Sequence, residues 1–167
     1  MRTAICPGSF DPVTLGHMDI ISRARKIFDH VIVAVLVNPT KNTAFTLEER
    51  IELLKRCTSG MDDVEVVGFD GLLADYARVR GATAIVKGLR AMSDFEYEFQ
   101  MSLFNKKLNP ELETVFLNTT AENMFLSSSG VKQIACFGGD ISNFVPGIIL
   151  DDIQRRLCTG GKQNECG

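Results

Sequence analysis

Residues 31–37 read V-I-V-A-V-L-V, seven aliphatic side chains in succession. The run is too short for a helix buried on all sides, and its β-branched residues favour extended backbone. A strand of this kind has no polar face to offer water, so both faces must be covered. That requirement selects the interior of a parallel sheet with helices packed on either side. Shorter apolar runs at 3–6, 64–67, 82–86 and 114–117 supply four further strands.

The intervening segments have helical spacing. Over 16–28 the apolar residues Ile20, Ile21, Ala24, Ile27 and Phe28 fall on one helix face. T-L-E-E at 46–49 has the form of a capping box and opens a helix to about residue 57. A third helix is expected over 71–80. S-D-F-E at 93–96 reads as a second capping box, starting a longer helix to about residue 108. Its Phe95, Phe99, Leu103 and Phe104 suit core packing or burial against another subunit. Helices over 127–137 and 146–157 complete the pattern. Strand and helix alternate, which predicts an α/β fold: a Rossmann-like, doubly wound, parallel five-stranded sheet in a single domain. The domain is expected to occupy 1–157, and the Gly-rich 158–167 to form a flexible C-terminal tail.

The 167 residues carry a net charge of −3 and no long basic run, so broad electrostatic binding to nucleic acid is not expected. No stretch is long and apolar enough to span a membrane, and the first residues lack the apolar segment of a secretory signal. Five cysteines without a C-x-x-C pair, and only two histidines, suggest neither a zinc site nor a disulfide framework. A reducing, cytoplasmic setting is expected.

In open parallel sheets, ligands bind beyond the carboxyl ends of the strands, where the strand order reverses. The segments expected there read P-G-S-F-D-P, N-P-T-K and K-G-L-R. Neither G-x-G-x-x-G nor G-x-x-x-x-G-K-[ST] follows the first strand. The first loop leads instead into T-L-G-H at 14–17. Gly8 lets the backbone approach a phosphate, and Ser9 offers an amide and a hydroxyl. Gly16 and His17 lie in the first turn of a helix, whose amides and dipole favour an anion. Lys41 follows the second strand, Lys87 and Arg90 follow the fourth, and Ser127, Ser128 and Ser129 open a later helix. Donors and cations distant in sequence thus converge on one sheet edge, which points to a phosphate site.

T-x-G-H is the signature of the nucleotidyltransferase superfamily related to class I aminoacyl-tRNA synthetases. Within it, P-G-S-F-D-P-V-T-L-G-H (7–17), F-T-L-E-E-R (45–50), K-G-L-R (87–90), D-F-E-Y-E (94–98) and S-S-S (127–129) resemble the bacterial phosphopantetheine adenylyltransferases. The resemblance runs from residue 1 to about 157. It implies transfer of the adenylyl group of ATP to 4′-phosphopantetheine, giving dephospho-coenzyme A and pyrophosphate in coenzyme A biosynthesis. It further implies direct in-line attack without a covalent enzyme intermediate, and Mg²⁺ bound through substrate phosphates with no protein ligand assigned. A homohexamer is implied, with coenzyme A as a feedback ligand.

By the same resemblance, His17, Lys41 and Arg90 are the catalytic residues. Ser9, Lys41, Leu73 and Lys87 bind the acceptor. ATP is met by Ser9, Phe10, His17, Gly88, Leu89, Arg90 and Glu98, and by the stretch Asn123, Met124, Phe125, Leu126, Ser127, Ser128 and Ser129. Asp11 and Asp94 are expected to make turn and helix-start hydrogen bonds rather than to hold metal. The chain departs from the pattern twice. Many relatives have Arg at the position of Lys87, and the family usually carries an aromatic residue at the position of Asn123. Two other readings stand beside this one. A cytidylyltransferase or nicotinamide mononucleotide adenylyltransferase shares T-x-G-H but not K-G-L-R with D-F-E-Y-E. A non-catalytic nucleotide sensor has no need of the group at the α-phosphate.

Overall fold

The computed structural model describes residues 1–37 and 42–158. Five strands, β1 (Thr3–Gly8), β2 (His30–Leu36), β3 (Val64–Phe69), β4 (Ala84–Leu89) and β5 (Glu113–Asn118), form one sheet of order β3-β2-β1-β4-β5. Every neighbouring pair is parallel. Among the described residues, six helices connect and flank them: α1 (Leu15–Ala24), α2 (Leu47–Cys57), α3 (Leu73–Val79), α4 (Met92–Leu108), α5 (Ser128–Cys136) and α6 (Leu150–Cys158). Short 3₁₀ turns occupy Ala121–Asn123 and Gly147–Ile149. None of the described helices is long and apolar enough to cross a membrane. The expected tail lies outside the described residues, apart from Cys158 at the end of α6.

The aliphatic run of β2 divides between two apolar clusters as strand alternation requires. Val31, Val33 and Val35 join one cluster, together with Ile20 and Ile21 of α1, Leu54 of α2, Val131 of α5 and Ile153 of α6. Ile32 and Ala34 join the other, with Ala74 and Ala77 of α3 and with Leu112. The sheet is therefore covered on both faces. Leu54 has no solvent exposure, and truncating such a side chain to Ala typically costs about 2–5 kcal/mol.

Strands β1, β3, β4 and β5 run further than their apolar runs suggest. Pairing with β2 carries β1 through Pro7 and Gly8. Pairing with β5 carries β4 through Lys87, Gly88 and Leu89. K-G-L-R is thus mostly strand, not loop. Helix α4 also begins differently. Its N-cap is Ala91, with no side-chain cap bond, so Ser93-Asp-Phe-Glu96 is not a capping box. The box at Thr46 and Glu49 does form, each side chain accepting from the other's backbone amide. Core packing does not account for Phe99, Leu103 and Phe104, which are exposed, as is Tyr97.

Candidate active site

The strand order reverses between β1 and β4, and a cleft of about 390 Å³ opens beside them. Its volume lies within the usual range for small-molecule sites. One wall comes from the end of β1 and the loop after it. Phe10 adopts a positive φ of 48°, a conformation that costs a non-Gly residue of order 1–2 kcal/mol. That turn sets the Phe10 ring against His17, edge to face, with centroids 5.0 Å apart. A Cβ on Gly8 would meet the same ring at 3.0 Å, so Gly there keeps the approach open.

Thr14-Leu-Gly-His17 is itself a capping box, with histidine in the place usually taken by Glu or Gln. Thr14 Oγ1 accepts from the His17 amide at 3.3 Å, and His17 Nδ1 accepts from the Thr14 amide at 3.0 Å. An Nδ1 that accepts a backbone hydrogen bond leaves the ring proton on Nε2. Burial, followed by the positive charges of Arg90 and Lys87, lowers the His17 pKa from 6.5 to about 4. At neutral pH the ring is an uncharged Nε2–H donor of fixed orientation.

The opposite wall carries the cations. Lys87, on β4, pairs with Glu98 of α4 at 3.0 Å. Arg90 pairs with Asp94 at 3.1 Å and donates to the Leu126 carbonyl at 2.8 Å. Its guanidinium is therefore held from two sides, one of them the segment leading into α5. Gly88 lies between the two cations, and a Cβ there would come 2.8 Å from Ile20 Cγ1. The glycine lets β4 pack closely on α1. Cys6 also borders the cleft, but burial pushes its thiol up to about 12, which makes it a poor nucleophile.

Helix α5 closes another side of the cleft. Ser127 is its N-cap and accepts from the Gly130 amide at 3.0 Å. Ser128 Oγ donates to the Pro12 carbonyl at 2.7 Å. These two hydroxyls are engaged in holding the helix start, and Ser127 also takes up the Gly130 amide, which leaves the Ser128 and Ser129 amides and the Ser129 hydroxyl for an anion. Asn123 lines the cleft, with Nδ2 donating to Thr120 Oγ1 at 3.0 Å.

The cleft brings together Ser9, Phe10, His17, Lys87, Gly88, Arg90, Glu98, Asn123, Leu126 and the three serines. Leu89, Met124 and Phe125 are not in its lining, and Leu73 packs on the apolar cluster under α3. Lys41 lies outside the described residues. Sequence reasoning missed the residues that brace the site from behind. The foremost is Arg50 of α2, buried at 4% exposure, which donates to the carbonyls of Ser9 at 2.7 Å and Leu36 at 3.1 Å. F-T-L-E-E-R contains it, but the periodicity of α2 gives no sign that its arginine reaches the ends of two strands.

Residues 5–134 match the family model described as cytidylyltransferase-like, and the chain belongs to that family. The phosphopantetheine adenylyltransferase of Caldanaerobacter subterraneus subsp. tengcongensis is 58% identical over 157 residues, covering 94% of this chain and 98% of the relative. Those of Clostridium tetani and Heliobacterium modesticaldum are 54% and 55% identical over 156 and 150 residues, covering 93% and 90% of this chain and 98% and 89% of the relatives. At that similarity the chain is a member of the phosphopantetheine adenylyltransferases, a nucleotidyltransferase.

Proposed function

We propose that this chain joins the adenylyl group of ATP to 4′-phosphopantetheine by direct attack, releasing dephospho-coenzyme A and pyrophosphate. The observation that carries the course of the reaction is a neutral, backbone-oriented His17 facing the same cleft as Lys87 and Arg90. An acceptor phosphate oxygen forms the new bond to the α-phosphorus, and the bond to the pyrophosphate oxygen breaks with its electron pair. His17 Nε2–H donates to the α-phosphate oxygen as charge builds there, and the Nδ1 bond to Thr14 keeps the tautomer fixed. No proton must leave the ring, and no enzyme nucleophile is needed.

Lys87 neutralises the acceptor phosphate, and Lys41 is assigned the same task. Arg90 and the first turn of α5 hold the nucleotide phosphates. Ser9 and Phe10 border the reacting centre, and Glu98 keeps Lys87 aimed. Leu73 is assigned to the pantetheine arm, and Leu89 and the stretch from Asn123 to Leu126 to the nucleotide. Mg²⁺ suits this donor set when carried on the triphosphate, because the lining carboxylates of Asp94 and Glu98 are each paired with a cation. Held through the substrate phosphates, the ion would add charge neutralisation there.

The exposed apolar side chains of α4 support a homo-oligomer, which the family resemblance makes a hexamer, with coenzyme A as feedback ligand and the cytoplasm as its setting. Exchange of radiolabelled pyrophosphate into ATP, dependent on dephospho-coenzyme A, tests the reaction. Exchange without dephospho-coenzyme A would point to an adenylyl-enzyme and overturn direct attack.

A further inference from the structure

Behind the cleft, the side chain of Asp11 is only 6% exposed and faces three donors. It accepts from the amides of Ala44 and Phe45, each at 3.0 Å, and from Lys132 Nζ at 2.8 Å. The donors come from two separate parts of the chain. Ala44 and Phe45 lead into α2, and Lys132 lies one turn beyond Ser128 on α5. A carboxylate offers only acceptors and meets all three donors at once. An asparagine at this position would present an NH₂ toward at least one of them, and a buried mismatch of that kind is costly.

Lys132 and Ser128 are four residues apart, so they share a face of α5. Both reach the loop after β1: Ser128 Oγ donates to the Pro12 carbonyl while Lys132 pairs with Asp11. The neighbouring Ser9 carbonyl is held by Arg50. Neither Asp11 nor Lys132 lines the cleft. They set where its two halves stand, because the first turn of α5 meets the nucleotide and the loop after β1 carries Ser9 toward the reacting centre.

We propose that the Asp11–Lys132 pair is a positioning device that fixes the nucleotide cradle of α5 against the loop bearing Ser9, and so sets the alignment for transfer. The proposal rests on the adenylyl transfer reading above. In-line displacement is sensitive to alignment: a misplacement of about 1 Å can cost about 100-fold in rate while leaving individual contacts in place. Loss of the pair should therefore lower kcat much more than it weakens ATP binding.

The test compares wild type, Lys132→Met, Lys132→Arg, Asp11→Asn and the double variant Asp11→Asn/Lys132→Met in steady-state kinetics with both substrates. Thermal unfolding measures the folded fraction of each. Lys132→Met is expected to lose at least about tenfold in kcat while fully folded at the assay temperature, with KM for ATP changed by less than about threefold. Lys132→Arg, which keeps the charge, should recover most of that loss. The double variant should be no worse than the weaker single one, because the two residues act as a unit.

A folded Lys132→Met enzyme within about twofold of wild-type kcat overturns the proposal. So does a loss that merely tracks the unfolded fraction, or effects of the two substitutions that multiply. If Asp11→Asn does not fold, the comparison of Lys132→Met with Lys132→Arg decides alone. A wild-type chain that forms no dephospho-coenzyme A overturns the reaction and the proposal together. A working wild type beside an unaffected Lys132→Met overturns the positioning role only.

Discussion

His17 Nδ1 accepts the Thr14 amide at 3.0 Å, and this bond decides which ring nitrogen carries the proton. One four-residue motif therefore performs two tasks. It starts α1, and it turns an imidazole into a donor of fixed tautomer. Replacing His17 with Ala should lower kcat by about 10²–10³-fold, the usual loss when a donor acting mainly in the transition state is removed. ATP affinity, measured by calorimetry, should change little. No phosphoramidate should be trappable on the wild-type ring, because the role proposed for the ring is to donate and not to attack.

The depressed pKa of His17 gives a second expectation. Its folded value, about 4, lies below its ordinary 6.5. Between those values the unfolded chain binds the extra proton and the folded chain does not, so stability rises with pH across that window. The contribution is fully present above about pH 6.5 and declines as pH falls toward about 4. Denaturant titrations at about pH 7 and about pH 5 should show a smaller loss in His17→Gln than in wild type. In the ligand-free protein the His17 imidazole should titrate at about pH 4 by NMR, well below the ordinary histidine value. Titration at the ordinary value would mean that His17 is not shielded as its surroundings require.

Thr14 separates the two tasks of the motif. Thr14→Val removes the side-chain acceptor for the His17 amide but keeps the Thr14 amide that holds Nδ1. Loss of such a cap typically costs about 1 kcal/mol. Thermal unfolding should register that loss, while kcat falls far less than in His17→Ala. A kcat as low as that of the alanine variant would show that the hydroxyl, not the amide, orients the ring.

The sheet and its helices were legible because aliphatic runs such as Val31 to Val37 have no exposed face to spare. The strand ends were not, since Pro7, Gly8, Lys87 and Gly88 are extended through pairing with neighbours and not through their own propensity. T-L-G-H was legible as a helix start. Its role as a capping box was not, because histidine seldom fills the Glu position. Asp11 reads in the sequence as a turn residue, and Arg50 and Lys132 give no signal there, for a common reason: each acts through partners far along the chain, 33 to 121 residues away for Asp11, 14 and 41 for two of the Arg50 bonds. Spacing within one element carries no trace of such partners.

Gly88 tests the close packing of β4 on α1. Gly88→Ala would set a methyl group 2.8 Å from Ile20 Cγ1, an overpacking that typically costs about 1–3 kcal/mol. The apparent melting temperature should drop. Adding Ile20→Ala should relieve the clash, so that Gly88→Ala costs less in the Ile20→Ala background than in wild type. Equal costs in both backgrounds would show that the methyl group is accommodated elsewhere.

Lys87 and Asn123 are two positions where the sequence departs from the pattern it resembles, and they call for opposite expectations. Lys87 keeps the charge of the usual arginine and pairs with Glu98, so Lys87→Arg should retain much of the activity and Lys87→Ala should lose both turnover and acceptor affinity. At Asn123 the usual aromatic surface is missing. The asparagine is half-buried in the cleft wall, bonded within its own turn to Thr120. An aromatic ring there would give up that bond, which joins two side chains near the surface, and gain a flat apolar face beside the nucleotide. Asn123→Tyr is expected to tighten ATP binding by about 1 kcal/mol, the lower end of base–aromatic stacking. Calorimetric titration of ATP into both proteins measures the difference directly. Unchanged or weaker binding in the tyrosine variant would remove Asn123 from the base-facing wall and leave it as a residue that only closes the turn before α5.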